Sequence, residues 1–237
     1  MKKINESHRM KVLAGIIKES YDAKDQIQVW FDLDGVLANM EGSLMENEEL
    51  VMLKRNLDNY IEQFFPDYKN LGTDEIKAKF KSELEIDPNN EELKELKRIF
   101  NKYNSKVFSI AGIEGFYANL ELMDGAMEMF DQAAIITSKK PNILTAPVGN
   151  ENNPNNPSVK EKRDWVNRHF GDKVNHVEVT VDKGRVVRSK YDILIDDRQK
   201  YVDKFVNAGG SAILYKNANQ AIEELKVLYN DLINNYI

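Results

Sequence analysis

The chain contains no cysteine, and this absence excludes several kinds of site. Disulfide bonds, thiolate nucleophiles and cysteine-based zinc sites cannot form. The three histidines, His8, His169 and His176, lack metal-ligand spacing, and His169 is expected to be a packed or surface residue. No apolar run reaches the roughly 18 residues of a membrane span, and the polar N-terminus predicts no signal peptide. We therefore expect a cytoplasmic protein with no membrane partner.

An excess of basic residues is also missing. The 33 lysines and arginines are outnumbered by 39 aspartates and glutamates, and the resulting net charge of −6 argues against a nucleic-acid partner. A small anionic substrate stays open, because a metal ion and a few lysines can reverse the field locally. At 237 residues, either one domain with a large insertion or two modest domains fit the chain.

Among the features that are present, a pair of aspartates after an apolar run is the most informative. Residues 27–33 are predicted to form a buried strand that leads into Asp32 and Asp34, and Gly35 then lets the chain turn away. Alternation along an extended strand would direct both carboxylates to the same side. Two anions there repel each other unless a cation lies between them or one is protonated. A Mg²⁺-dependent aspartyl nucleophile with a neighbouring acid/base requires such a pair.

A calcium loop and an ordinary turn are the other interpretations of this motif. An EF-hand loop that began at Asp32 would need an oxygen ligand, a glycine and a glutamate at its fifth, sixth and twelfth positions. The chain has Val36, Leu37 and Ser43 there, so the calcium loop is excluded. A turn without chemistry remains an alternative for the motif taken alone.

The apolar patterns divide the chain into two kinds of region. Charged helical sequence without strand-like alternation dominates residues 40–117, with helices predicted at 46–65, 73–84 and 91–103. The remaining sequence alternates strands with helices, which is typical of a parallel α/β sheet covered on both faces. The strands are predicted at 27–33, 142–148, 177–181, 193–195 and 211–215, and the helices at 5–22, 125–139, 158–169, 201–208 and 217–236. We therefore predict an α/β core at 1–39 and 118–237 and an inserted helical cap at 40–117, with Thr73 and Ser158 as helix caps.

Four polar elements follow predicted strands or begin the helices after them, where open α/β sheets place their ligands. They are Asp32 with Asp34, then Thr145, then the lysines at 160, 162 and 183, and finally Asp196 with Asp197. In phosphoryl transfer one carboxylate can attack phosphorus while a second acid protonates the leaving oxygen. A hydroxyl and an ammonium bind the phosphoryl oxygens, and Mg²⁺ takes carboxylate ligands. Each later element alone has a plain explanation as a turn, a cap or a solvated lysine, but their order together favours this chemistry.

The order of these elements resembles the haloacid dehalogenase (HAD) superfamily of phosphatases, and within it the 5′(3′)-deoxyribonucleotidases. The resemblance covers most of the chain outside residues 45–110. It is carried by the segment 32–38 (DLDGVLA), by Gly125-Ala126 followed by Thr145 and Pro147, by 161–166 (EKRDWV) with Phe170-Gly171, and by Asp182-Lys183 with 194–198 (LIDDR). It implies a HAD-like (Rossmannoid) parallel-sheet core with an inserted cap.

The resemblance also implies a role for each matching residue. Asp32 would be the nucleophile and Asp34 the acid/base. The cofactor Mg²⁺ would be bound by Asp32, by the backbone carbonyl of Asp34, and by Asp196 or Asp197. Thr145 and Lys162 would hold the phosphate, and Lys183 would lie nearby and orient the acidic pair. Lys160 matches nothing in the family and is expected to be solvated.

The substrate side of the resemblance is less complete. Phe116 and Tyr117 resemble the aromatic stretch by which these enzymes approach the nucleoside, although core packing would explain them equally well. Met40 stands where an aromatic residue is common, and Ala146 replaces a serine expected after the threonine. The helical insertion also looks longer than the family's cap. The chemistry is therefore better defined than the leaving group.

These observations lead to one main hypothesis and two alternatives. The main hypothesis is a Mg²⁺-dependent phosphomonoesterase that acts on nucleoside monophosphates, preferably deoxyribonucleotides. One alternative keeps the chemistry and takes a sugar phosphate, another metabolite or a nucleic-acid 3′-phosphate as substrate. The other is a non-catalytic nucleotide-binding module on the same fold. A homo-oligomer stays open.

Overall fold

The computed structural model describes residues 24–151, 153 and 155–234. The helix predicted at 5–22 lies outside these residues. The strands are β1 (Gln28–Phe31), β2 (Asn142–Thr145), β3 (Val177–Val179), β4 (Asp192–Asp196) and β5 (Ser211–Leu214). The helices are α1 (Met40–Met45), α2 (Glu48–Phe64), α3 (Thr73–Ile86), α4 (Glu91–Ala111), α5 (Ala126–Thr137), α6 (Pro157–His169), α7 (Gln199–Asn207) and α8 (Ala218–Asn234). Single 3₁₀ turns lie at Pro66–Tyr68, Tyr117–Asn119, Gly171–Lys173 and Lys183–Val186.

The five strands form one parallel sheet, as the alternation of strands and helices predicts. Their order is β3-β2-β1-β4-β5, so β1 is central and pairs with β2 on one side and β4 on the other. Every residue of β2 and β4 is buried, because helices cover both faces of a parallel sheet. The chain leaves β1 toward β2 and later returns to β4 on the opposite side. This reversal makes the carboxyl ends of β1 and β4 a topological switch point, where such sheets bind their ligands.

Several predicted boundaries differ from the observed ones. The strand predicted at 27–33 ends at Phe31, because the chain folds back after Asp32 and the amide of Leu37 donates to the carbonyl of Leu33 at 2.9 Å. The strand predicted at 142–148 ends at Thr145, two residues before Pro147, which has no amide hydrogen to donate. In the other direction, α4 continues to Ala111, because neither glycine nor proline interrupts it before Gly112.

The helix caps also correct the sequence prediction. Thr73 is not the cap of α3, since Gly72 holds that position and its amide donates to the Glu75 carboxylate at 2.7 Å. Ser158 is not the cap of α6, because the Asn156 side chain accepts the Ser158 amide at 3.0 Å. An asparagine side chain also caps each of α1, α2 and α4, which fits the preference for asparagine at this position.

The described chain divides into two compact units. The sheet unit comprises the described parts of Met1–Leu37, Leu122–Ala146 and Phe170–Ile237, and the helical unit comprises Ala38–Glu121 and Pro147–His169. The helical unit contains the whole of the predicted cap at 40–117 and also α6, which the sequence prediction assigns to the core. The physical reason is that α6 packs on the 3₁₀ turn at Tyr117–Asn119. The domain boundaries themselves stay a prediction.

Each unit has its own apolar core. In the sheet unit, Trp30, Leu144 and Leu194 pack on Phe205 of α7. In the helical unit, buried side chains of α2, α3 and α4 pack together with Tyr68 of the 3₁₀ turn at Pro66–Tyr68. The cluster consists of Leu57, Ile61, Tyr68, Ile76, Phe80, Leu93, Leu96 and Phe100. Within the residues that the structure describes, no helix is both long and apolar enough to cross a membrane.

Candidate active site

The strand register brings the polar residues of three strands to one end of the sheet. Phe31 pairs with Ile143 of β2 and with Ile195 of β4. Asp32 therefore follows β1 level with Asp196 at the end of β4, and Thr145 ends β2 one residue beyond that level. The amide of Asp32 donates to the carbonyl of Ile195 at 2.9 Å and fixes the position of Asp32 next to β4.

Lys183 connects two of these carboxylates. It begins the 3₁₀ turn after β3, and its Nζ lies 2.8 Å from Asp32 Oδ1 and 2.5 Å from Asp196 Oδ2. The Lys183 and Asp196 side chains have no exposed surface, and that of Asp32 is 5% exposed. Burial opposes the charge on Lys183, but the two carboxylates outweigh it and raise the pKa of the lysine. The lysine is therefore permanently charged, and the three side chains form a buried ion triad.

Further contacts hold the triad in place. The ring of Tyr201 on α7 lies 4.4 Å from Lys183 Nζ, in a cation–π contact. The amide of Arg198 donates to Asp196 Oδ1 at 2.9 Å, while Asp196 Oδ2 faces the lysine. Sequence reasoning missed Tyr201, because an aromatic residue on the helix after a strand looks like ordinary packing.

Asp32, Asp196 and Asp197 form the group of carboxylates that could hold a metal ion. One oxygen from each lies within 4.8 Å of the others, and such a group is found at this place alone among the described residues. Burial and the charge of Asp32 raise the pKa of Asp196 to about 6, and burial with the charges of Asp32 and Asp196 raises that of Asp197 to about 8. Asp197 nevertheless has solvent access, since its side chain is exposed. A set of carboxylates that repel one another and open to solvent fits Mg²⁺, a hard cation that prefers oxygen ligands and retains water.

Gly35 and Asp34 lie in the turn beyond β1. A Cβ on Gly35 would lie 2.6 Å from Asp197 Oδ2, and the φ angle of +79° lies in the left-handed region that favours glycine. Because β1 ends at Phe31, the predicted alternation along an extended strand does not apply to Asp34, which is half-buried past the strand end. The Asp34 side chain does not belong to the carboxylate group, and its predicted metal ligand is the backbone carbonyl.

Thr145 is the last residue of β2, at the carboxyl end of the sheet. It is fully buried, and its carbonyl accepts the amide of Thr180 at 2.7 Å. The Thr180 hydroxyl in turn accepts the amide of Asp182, so this link supports the turn that carries Lys183.

The helical unit contains the other predicted site residues. Lys162 on α6 is fully buried, and its Nζ lies 4.4 Å from the centre of the Tyr117 ring. Lys160 forms an exposed ion pair with Asp164, in agreement with its expected solvation. His169 is half-buried and packs on Trp165, with the ring centres 4.3 Å apart.

A cavity of about 620 Å³ lies within the helical unit. Of the three predicted substrate residues, Phe116 lines it, whereas Met40 and the fully buried Tyr117 do not. Sequence reasoning missed the polar residues of this cavity, although Asn39 directly follows the segment 32–38. The lining residues are Asn39, Gly42, Ser43, Glu46, Asn47, Ile110, Ile113, Glu114, Gly115, Phe116, Asn119 and Glu121.

A family model matches residues 74–229, which is more than half of the chain. The family is described as 5′ nucleotidase, deoxy (pyrimidine), cytosolic type C protein. The chain belongs to this family. In this 5′ nucleotidase family member, the matched region contains Thr145, Lys162, Lys183 and the Asp196-Asp197 pair. Asp32 and Asp34 lie before its first residue. The predicted resemblance to the deoxyribonucleotidases is thereby confirmed.

Two solved structures of HAD hydrolases match most of the chain at low identity. A HAD-superfamily hydrolase from Ehrlichia chaffeensis is 17% identical with a TM-score of 0.45, and the match covers 86% of this chain and 97% of that one. A HAD-hydrolase from Bacillus subtilis, solved with bound magnesium, is 12% identical with a TM-score of 0.42, covering 86% and 98% of the two chains. At these scores neither likeness carries an argument about this chain. No curated protein matches it significantly.

Proposed function

We propose that this member of the nucleotidase family is a Mg²⁺-dependent phosphomonoesterase that hydrolyses nucleoside monophosphates, preferably deoxyribonucleotides. The family match supports the phosphatase activity. The observation that carries the finer proposal is the buried triad of Asp32, Lys183 and Asp196 at the topological switch point. A buried carboxylate held by a permanently charged lysine has the position and the charge that a nucleophile toward phosphorus needs.

The proposed reaction has two steps. In the first, a carboxylate oxygen of Asp32 forms a bond to phosphorus, the bond from phosphorus to the ester oxygen breaks, and Asp34 donates a proton to the leaving oxygen. In the second, a water oxygen attacks phosphorus, Asp34 accepts the proton of that water, and the bond to Asp32 breaks to release phosphate. One residue thus acts first as acid and then as base, and Asp32 is regenerated.

The remaining site residues have supporting roles in this proposal. Lys183 orients Asp32 and adds positive charge beside it, and the Thr145 hydroxyl and Lys162 bind phosphoryl oxygens. Asp32, the carbonyl of Asp34, and Asp196 or Asp197 would hold Mg²⁺. When bound, the ion supplies positive charge that offsets the repulsion between the nucleophile and the phosphate.

The helical unit supplies the selectivity in this proposal. Its cavity of about 620 Å³ has room for a nucleoside, and Phe116 offers an aromatic surface for the base or sugar. We propose that this unit acts as the cap that selects the leaving group and excludes bulk water. Met40 and Tyr117 would support the cap rather than line the cavity.

The decisive experiment is a phosphate-release assay across all ribo- and deoxyribonucleoside monophosphates and a set of sugar phosphates. We expect release with Mg²⁺, loss of release in EDTA, and the highest kcat/KM for a deoxyribonucleotide. Sugar phosphates ranking above every nucleotide would overturn the proposed substrate. Nucleotide binding without any phosphate release in Mg²⁺ would instead support a non-catalytic binding module.

A further inference from the structure

Three side chains on one face of α6 hold the segment 115–120 through its backbone. They are Glu161, Trp165 and Arg168, whose spacing of four and then three residues places them on the same face of a helix. Trp165 Nε1 donates to the carbonyl of Leu120 at 2.7 Å, and the Arg168 guanidinium donates to the carbonyl of Ala118 at 2.6 Å. The same face therefore fixes this segment at several points.

Glu161 makes the contact that matters most for the cavity. Its Oε1 accepts the amide of Gly115 at 2.6 Å, and its Oε2 accepts the amide of Tyr117 at 3.1 Å. The two bonds bracket Phe116, and both Gly115 and Phe116 line the cavity. Hydrogen bonds from backbone amides to an ionised carboxylate are about twice as strong as neutral ones, so Glu161 holds the wall firmly on both sides of Phe116.

The neighbouring contacts strengthen this argument. The Asn119 side chain donates to the carbonyl of Gly115 at 2.9 Å, so the turn that carries Phe116 is tied at both of its ends. Lys162, the residue after Glu161, places its ammonium over the Tyr117 ring at 4.4 Å. Gly115 has a φ angle of +91°, which glycine adopts without strain, so hydrogen bonds to its amide and carbonyl rather than steric restriction hold the turn in this shape.

We propose that Glu161 is a positioning residue that sets the leaving-group selectivity of this phosphatase by holding the Phe116 wall of the cavity. The inference rests on the proposed function, in which the cavity receives the nucleoside. Glu161 does not belong to the carboxylate group of the sheet unit, and it accepts two backbone amides of the segment 115–120. Loss of the Glu161 carboxylate should therefore weaken binding of the nucleoside part of the substrate and leave the chemistry at phosphorus intact.

The test compares Glu161→Gln with Asp164→Asn, an identical change of carboxylate to amide on the exposed side of the same helix. Both are assayed with the best nucleotide and with p-nitrophenyl phosphate, which has neither sugar nor base. We expect Glu161→Gln to lower kcat/KM for the nucleotide about tenfold, mainly by raising KM. The kcat/KM for p-nitrophenyl phosphate should change less than about twofold. Asp164→Asn should leave both values within about twofold of the wild type.

Two results would contradict the proposal. Equal losses on both substrates would assign Glu161 a structural role, and unchanged kinetics would assign it none. If thermal denaturation shows that Glu161→Gln is unfolded, Glu161→Asp replaces it, since aspartate keeps the charge but is one methylene shorter. This variant is then judged by the ratio of kcat/KM for the nucleotide to kcat/KM for p-nitrophenyl phosphate. Wild-type protein that hydrolyses no phosphomonoester at all would overturn the proposed function itself, and this failure is distinct from an active enzyme with an unchanged ratio.

Discussion

Gly35 lies where the chain turns away from β1 and passes Asp197. Two separate effects would follow from Gly35→Ala: strain from the positive φ angle, and contact between the new methyl group and Asp197 Oδ2, which lies 2.6 Å from the Cβ position. We expect a loss of about 1–2 kcal/mol in the free energy of unfolding from the strain. Displacement of Asp197 should lower kcat in addition, by about tenfold or more if Asp197 helps to hold the metal.

Gly209 provides the matched control for this prediction. Its φ angle of +96° carries a similar backbone strain, but nothing lies within 4 Å of the Cβ that Gly209→Ala would add. This variant should lose similar stability in urea denaturation and keep its phosphate-release activity. Equal activity in the two variants would show that the contact with Asp197 has no catalytic consequence.

Asp32 is the residue on which the proposed chemistry depends. Asp32→Asn removes the attacking oxygen charge, so we expect kcat for phosphate release to fall by about four orders of magnitude or more. The fold should persist, because Lys183 keeps its ion pair with Asp196 and the change relieves the repulsion of Asp32 with Asp196 and Asp197. Asp172→Asn, the same substitution at an exposed position of the sheet unit, should leave kcat unchanged. Retained turnover in purified Asp32→Asn protein, with an unaltered circular dichroism spectrum, would refute the nucleophile assignment.

At the residue scale, the sequence indicated candidate site residues but not the contacts between their side chains. Each of Asp32, Thr145 and the Asp196-Asp197 pair has a plain explanation as a turn or cap residue when taken alone. They are recognisable as candidate site residues because they follow successive apolar strands in the order of the family's motifs. The contact of Lys183 with both Asp32 and Asp196 could not be derived in this way. It arises because β1 and β4 are neighbours in the sheet while they are far apart along the chain.

At the element scale, the helical unit has a core of its own that can be tested. Phe100 on α4 is fully buried and packs against Phe80, with ring centres 5.3 Å apart. Phe100→Ala should lower the free energy of unfolding of this unit by about 3–5 kcal/mol, because it leaves a cavity among packed side chains. Hydrogen exchange of amides in α2, α3 and α4 would localise the loss.

The same helix offers the control. Phe108 is 56% exposed, so Phe108→Ala should change the free energy of unfolding by less than about 0.5 kcal/mol. Similar losses from both substitutions would mean that the cluster around Phe100 does not stabilise the unit.

Helix periodicity in the sequence predicted the positions of the helices well and the residues at which they begin and end less well. The helices after residue 45 are all found, since their apolar spacing is a local property of the sequence. Their caps depend on which side chain reaches the first amides. Asn156 rather than Ser158 caps α6, because the Ser158 hydroxyl instead accepts the amide of Val148 at 3.0 Å. Local pattern alone does not distinguish these two arrangements.

At the scale of the whole molecule, stability should depend on Mg²⁺ and pH together. Without the metal, the pKa values of Asp196 and Asp197 lie near 6 and 8, above the ordinary value of 3.8 that the unfolded chain retains. Between about pH 4 and pH 8 the unfolded state therefore binds fewer protons than the folded state, and stability falls as the pH rises. Mg²⁺ stabilises the folded state by binding to it, and it competes less with protons at higher pH.

We therefore expect the gain in Tm on replacing EDTA with MgCl₂ to be larger at pH 8 than at pH 5.5. Thermal denaturation in the four conditions measures it directly. In Asp197→Asn the difference between the two pH values should shrink, since the group with the higher pKa is gone. A gain that is equal at both pH values, or absent, would contradict the proposed metal site.

The sequence by itself determined the class of fold and the family, and it predicted the type of chemistry, because these depend on local patterns: apolar runs that end in carboxylates, and helices with one apolar face. The tertiary structure decided which groups meet. It joined Lys183 to Asp32 and Asp196 through the order of the parallel strands, and it grouped α6 with the inserted helices through side chains that hold the segment 115–120. Such contacts join residues that are distant along the chain, and no local pattern of residues encodes them.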